Sequence, residues 1–231
     1  MFARVPTPLA SLNCHEARMT AFVLDDHFPC VGARSAAKKD RMRFGLYKAL
    51  GDIDSAHQLC ADLAKFSAEF PSAGEVPVSF VAMFESARSG ERDFSNALWS
   101  HLEAMHDADR LQYEWDPAVS SDAHCDSFSF SIAGRAFFVV GLHPDASRSA
   151  RRTPFPCLVF NFHDQFETLK RSGKYAGMQK VIRARDVALQ GSINPSLARF
   201  GEASEARQYA GDLVATDWVC PFVAKKAIHA N

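Results

Sequence analysis

The chain has 231 residues, 47% of them hydrophobic, with 12 glycines and 11 prolines: enough to bury a sizeable core and ordinary for a globular protein. A formal charge of −1 supplies no basic footprint for nucleic acid, and nothing approaches the apolar run of a membrane span, so a single domain with neither partner is expected. Nineteen phenylalanines against three tryptophans and four tyrosines leave much ring surface without a polar handle, which suits a core or a flat apolar ligand.

The first thirty residues carry charges at Arg4, Glu16, Arg18, Asp25 and Asp26 and so lack the continuous apolar run of a secretory signal. Residues 1–27 read as an N-terminal arm with one short helix around Leu12 to Phe22, and Phe28-Pro29-Cys30-Val31-Gly32 stops any helix. After the basic stretch Arg34 to Lys39, the apolar run Arg43 to Leu50 is a candidate strand. From Asp54 to Phe70, Leu59, Leu63, Phe66 and Phe70 recur at three- and four-residue steps behind an Asp or Ser cap, the spacing of an amphipathic helix that Pro71 ends. Val76 to Phe84, rich in β-branched and aromatic residues, predicts a strand, and Phe94, Leu98, Leu102 and Met105 mark a second helix starting near Asp93 or Ser95.

The strongest strand signal is Ser127 to His143. Phe128, Phe130 and Ile132 alternate with serines up to Gly134-Arg135, and Phe137 to Leu142 continues the apolar run, which predicts a hairpin with Gly134 at the first central position of a type II′ turn. His143-Pro144 opens a polar loop through Pro156, and Cys157 to Asn161 reads as a continuous apolar strand buried on both faces. Gln165 to Arg171, Tyr175 to Leu189 and Ser204 to Asp212 predict helices, with breaks at Gly173 and Asn194-Pro195. Together these elements describe one α+β domain, residues 28–231, whose mostly antiparallel sheet carries a β-hairpin and is packed by several helices.

Loops on a rigid sheet are where sites concentrate, and His143 to Gln165 places two histidines and three arginines on loops flanking buried strands. His163, beside Asn161, Asp164 and Gln165, can ligate a metal through one imidazole nitrogen while a neighbour orients the other; it can equally cap the helix beginning near Asp164. Arg148, Arg151 and Arg152 present bidentate donors for carboxylates or phosphates, or form a solvated basic loop. Cys30 and Cys220 lie beside proline in Phe-Pro-Cys and Cys-Pro-Phe. Either is an iron ligand if its pKa is lowered, and a small buried hydrophobe if not. The six cysteines, at 14, 30, 60, 125, 157 and 220, make no Cys-x-x-Cys pair, which favours reduced thiols in a cytoplasm and excludes covalent c-type haem attachment. Neither a Gly-x-Ser-x-Gly elbow nor a phosphate-binding glycine loop occurs, so hydrolase and nucleotide readings lose ground.

Several strings in one order carry a resemblance: Phe28-Pro29-Cys30, Arg43-Phe44, Gly141-Leu142-His143-Pro144, Ser147-Arg148 with Arg151-Arg152, Phe160-Asn161-Phe162-His163-Asp164-Gln165-Phe166-Glu167, Ile182-Arg183-Ala184-Arg185-Asp186, Gln190-Gly191-Ser192-Ile193-Asn194-Pro195, Ser204-Glu205-Ala206-Arg207-Gln208-Tyr209 and Cys220-Pro221-Phe222. Over about Phe28 to Phe222 the chain resembles the YqcI/YcgG family, which includes haem-dependent N-hydroxylases. One position departs from the family pattern, because Tyr209 is followed by Ala210-Gly211-Asp212 where the family has Ser-Gly-Arg.

The resemblance implies an α+β domain that binds haem b, activates dioxygen with an external reductant or uses peroxide, and N-oxygenates a guanidine, amine or aminoazole. It implies His163 as the axial ligand, with Cys30 as the alternative. Asn161 and Gln165 would support that ligand, and Arg148, Arg151, Arg152 and Arg183 would join the cofactor-binding set around the propionates. Glu205 and Asp186 are the carboxylates for a cationic substrate, or in the case of Asp186 a helical partner for Arg183 three residues away. No flavin or iron–sulfur motif is present, so electrons would come from a separate donor. The rival readings are a non-catalytic haem-binding or haem-sensing protein and a cofactor-free ligand-binding domain. Oligomeric state stays open, a symmetric homodimer being common for small α+β enzymes.

Overall fold

In the computed structural model, which describes residues 9–72, 74, 76–87, 89–193 and 203–228, five strands form one sheet: β1 Met42–Ala49, β2 Ser79–Ser86, β3 Phe130–Ile132, β4 Arg135–Leu142 and β5 Cys157–Phe162. Their order is β1-β2-β5-β4-β3, with β1 and β2 parallel and the other neighbours antiparallel. Helix α3, Ile53–Glu69, supplies the crossover that a parallel pair requires. The other helices are α1 Leu9–Leu24, α2 Val31–Lys38, α4 Glu91–Asp109, α5 His163–Arg171, α6 Lys174–Gln190 and α7 Ala206–Tyr209, completing a single α+β domain. The expected break at Asn194-Pro195 lies outside the described residues.

Successive side chains of a strand point to opposite faces, and the two faces of this sheet are built differently. Phe80, Ala82 and Phe84 of β2, Leu158, Phe160 and Phe162 of β5 and Phe137 and Val139 of β4 point to one side, where they meet Leu59, Leu63 and Phe66 of α3 and Phe94, Leu98, Leu102 and Met105 of α4. At about 1.5–3 kcal/mol per fully buried large apolar side chain, this is the dominant core. Gly141 of β4 lets α4 and α7 approach closely, since a Cβ there would lie 2.8 Å from Leu98 Cδ1 and 2.9 Å from the Tyr209 carbonyl oxygen. On the other face, Val81, Met83, Val140, Leu142, Cys157 and Val159 meet Met19 and Val23 of α1 and Ala36 of α2 in a smaller apolar cluster.

Three local readings differ from the structure. The β3–β4 turn is Ala133-Gly134 rather than Gly134-Arg135: φ is 54° at Ala133 and 69° at Gly134, the two positive values of a type I′ turn. The strained alanine is held by Asp109, whose Oδ1 accepts the Ala133 N–H at 2.8 Å. Phe28-Pro29-Cys30 does end one helix, but Val31 already begins α2, with Cys30 as its N-cap. The last helix is confined to Ala206–Tyr209, short of the predicted Ser204 to Asp212, because Gly211 turns away at φ 93° against the Arg151 side chain.

Candidate functional site

The smaller face leaves a chamber of about 320 Å³. Its floor is Ser79 and Val81 of β2, Val159 and Asn161 of β5, and Phe138, Val140 and Leu142 of β4, the residues that alternation turns away from the main core. Met19, Phe22 and Val23 of α1, with Phe28, Pro29 and Cys30, close one wall. Tyr175, Met178, Gln179, Ile182, Arg183 and Asp186 close another: their spacing of three and four residues forms one stripe of α6. A second cavity, of about 400 Å³, lies by the end of α4 among His106, Asp109, Trp115 and residues 224–227, and holds none of the candidate residues.

Cys30 reaches the chamber as the N-cap of α2, its Sγ accepting the Ala33 N–H at 3.4 Å. Burial pushes the thiol pKa up, and the backbone amides of Ala33 and Gly32 pull it back. Arg148 is buried in the lining. Its Nη2 donates to Asp186 Oδ2 at 2.6 Å and to the Ser192 carbonyl at 2.7 Å, its Nη1 to Ser192 Oγ at 3.0 Å, and its Nε is buried without a hydrogen-bond partner among the described residues. Asn161 accepts from Ser79 Oγ at 2.7 Å, and Gln165 accepts the Val78 N–H at 2.9 Å through Oε1, tying α5 to the start of β2.

Three neighbouring arginines take three different places. Arg148 pairs with Asp186. Arg151 is fully enclosed and donates to the carbonyls of Gly141 at 3.0 Å, Tyr209 at 3.2 Å and Gln208 at 2.7 Å, while burial drags its pKa down to about 10 against the counter-pull of Asp212. Asp212 thus supplies a balancing charge near a buried cation. Arg152 stays on the surface, bonded to the carbonyls of Ala146 at 2.6 Å and Ser147 at 3.3 Å.

His163 and Glu205 come together outside the chamber lining. His163 is the first residue of α5, and its Nδ1 lies 3.5 Å from Glu205 Oε1. Glu205 Oε2 accepts from Ser129 Oγ at 2.9 Å and from Tyr209 OH at 3.3 Å. Burial raises the Glu205 pKa, opposed chiefly by His163, and raises that of Tyr209 well above its usual value. The candidates thus divide: Cys30, Arg148, Arg151, Asn161, Gln165, Arg183 and Asp186 share the chamber, whereas His163 and Glu205 form a separate buried polar cluster. The α1 and α6 walls were not anticipated. Their signal in sequence is the four-residue step from Met19 to Val23 and the mixed stripe from Tyr175 to Asp186, too polar to read as a core face.

Among the described residues no three His, Cys, Asp or Glu side chains gather into a metal-binding group, and no helix is long and apolar enough to cross a membrane. A model of the YqcI/YcgG family matches residues 19–223. The chain is similar to the uncharacterised protein YcgG of Bacillus subtilis (strain 168), with 25% identity over 194 residues, 80% of this chain and 76% of the relative. No solved structure matches the chain to significance.

Proposed function

The chain belongs to the YqcI/YcgG family, and from that premise we propose that the chamber holds haem b and that the protein is a haem-dependent oxygenase that N-hydroxylates a small nitrogen-rich substrate such as a guanidine, amine or aminoazole. The observation that carries the reading is a thiol, Cys30 Sγ, at a helix start in a mainly apolar chamber that also collects Arg148, Arg183 and Asp186. The donor set suits the group. Amide donors at the helix N-terminus partly offset the burial that raises the Cys30 pKa, and the buried Arg148 Nε, without a partner among the described residues, is a donor that a carboxylate would satisfy. Haem bound there would supply oxygen activation at iron, with electrons from an external donor or with peroxide as oxidant.

The chain's own residues would do the rest. Phe22, Phe28 and Phe138 keep water from the chamber. Asp186 is the carboxylate within reach of a cationic substrate, in competition with Arg148 at 2.6 Å. Burial keeps the proton on the free Cys30 thiol, so ligation must displace it and haem loading should strengthen as pH rises. His163 and Glu205 act through the fold, fixing the start of α5 relative to α7.

The test is the ultraviolet–visible spectrum of the haem-supplied protein in ferric, ferrous and ferrous-carbonyl states, with Cys30→Ala and His163→Ala alongside. A thiolate-type ferrous-carbonyl band lost in Cys30→Ala and kept in His163→Ala is expected. A histidine-type spectrum lost in His163→Ala would move the iron to the other cluster, and a protein that stays colourless with ample haem would overturn the reading.

A further inference from the structure

Helix α6 is attached to the molecule unlike the other long helices. Whereas α4 buries Phe94, Leu98, Leu102 and Met105 against the main core, Asp186 is the buried residue among the 17 of α6. The main neighbours of α6 are α5, α2 and the 3-10 turn Ser149–Arg151, with no strand among them. Its inward stripe, from Tyr175 to Asp186, borders the chamber, with Met178 also reaching Gly32 of α2. Both ends are glycines in the left-handed region, Gly173 at φ 71° and Gly191 at φ 76°, and among the described residues no atom beyond their own chain neighbours lies within 4 Å of where a Cβ would stand at either.

Polar contacts tie down the C-terminal part of α6. Gln190 Oε1 accepts the Ser149 N–H at 2.6 Å and its Nε2 donates to the Ser147 carbonyl at 3.1 Å, beside the Arg148–Asp186 and Arg148–Ser192 contacts. Arg185 Nη2 donates to the carbonyls of Asp26 and Phe28, the latter at 3.1 Å, and so fastens α6 to the loop that carries Cys30. Such bonds exchange for water bonds at small net cost, whereas a helix anchored by apolar side chains opens only with its core.

We propose that α6 is the lid of the chamber, hinged at Gly173 and Gly191 and latched by Gln190 and Arg185, and that ligand enters beneath it. The lid does not depend on what the chamber holds. Opening breaks the latches and lifts the stripe while the sheet and its aromatic core stay intact.

The experiment is hydrogen exchange followed by mass spectrometry on the full chain, with Arg185→Ala, Gln190→Ala and the double variant, together with stopped-flow binding of anilinonaphthalene sulfonate as an apolar probe. Residues 174–190 are expected to exchange as a block ahead of β2 and β5. Each latch variant should speed that block about tenfold, the ratio expected for loss of one charge-assisted or paired hydrogen bond, and should speed probe association by a similar factor. Protection of α6 equal to that of β2 and β5 would overturn the lid. So would latch variants that speed the strands equally, or that leave probe association unchanged while α6 exchange rises. A protein that binds the probe with these kinetics but takes up no haem would retain the lid and lose the haem reading.

Discussion

Asp109 ends α4 with one carboxylate oxygen on the Ala133 N–H, and burial pushes its pKa up to about 6 from an ordinary 3.8. The folded chain therefore holds an extra proton between those values, so this group's contribution to stability grows as pH falls from 6 to 3.8 and is smallest at neutral pH and above. Asparagine keeps the accepting oxygen without the charge. Asp109→Asn is expected to be more stable than the parent at pH 8 by about 1–3 kcal/mol in urea unfolding, the advantage shrinking towards acid, whereas Asp109→Ala loses the hydrogen bond and gains less or nothing. The three arginines after Ser147 show what residue type leaves unsaid. Their clustering was legible as a place for anions, but not their division of labour: Arg148, before the 3-10 turn, pairs with Asp186, Arg151 within it is spent on three backbone carbonyls, and Arg152 after it meets water.

At the scale of elements, the β3–β4 turn ties that same carboxylate to hairpin geometry. Ala133 sits at φ 54°, a conformation that costs an L side chain roughly 1 kcal/mol, and asparagine followed by glycine is the preferred pair for a type I′ turn. Ala133→Asn should raise the thermal midpoint by a few degrees, about 2–4 °C per kcal/mol in a chain of this size, and a fall would show that the methyl's packing outweighs the backbone strain. Helices α3 and α4 and the strands were legible because each buries a periodic apolar stripe in the main core, as Leu59, Leu63 and Phe66 do. Helix α2 was not, since its eight residues are small or basic and its cap is a cysteine, a sulfur standing where serine or aspartate would announce a helix start. The place of α6 was hidden for a related reason: a stripe facing a cavity need not be apolar throughout, so Arg183 and Asp186 enter as candidates through the family resemblance while the stripe they belong to gives no periodic signal.

Across the whole molecule, one sheet separates a filled face from an incomplete one, and neighbouring residues of the same strand test the difference. Val139 of β4 is fully enclosed on the aromatic face, packed with Phe160 and Phe137, while Val140 is partly buried and borders the chamber. A larger side chain at 139 has nowhere to go, so Val139→Phe should cost about 1–3 kcal/mol through displaced neighbours. At 140 the added ring enters the chamber and removes apolar surface from water, so Val140→Phe should leave stability unchanged or raise it by about 1 kcal/mol in urea unfolding. The same substitution should abolish the Soret band of the haem-supplied protein, because the ring occupies the volume the cofactor needs. Loss of stability at both positions would mean that the chamber closes up in solution. Retained haem in Val140→Phe would place the cofactor elsewhere, with the His163–Glu205 cluster the next place to look. Stability gained together with binding lost is the signature of a cavity kept open for a ligand, since a sheet face selected for stability alone would already be filled.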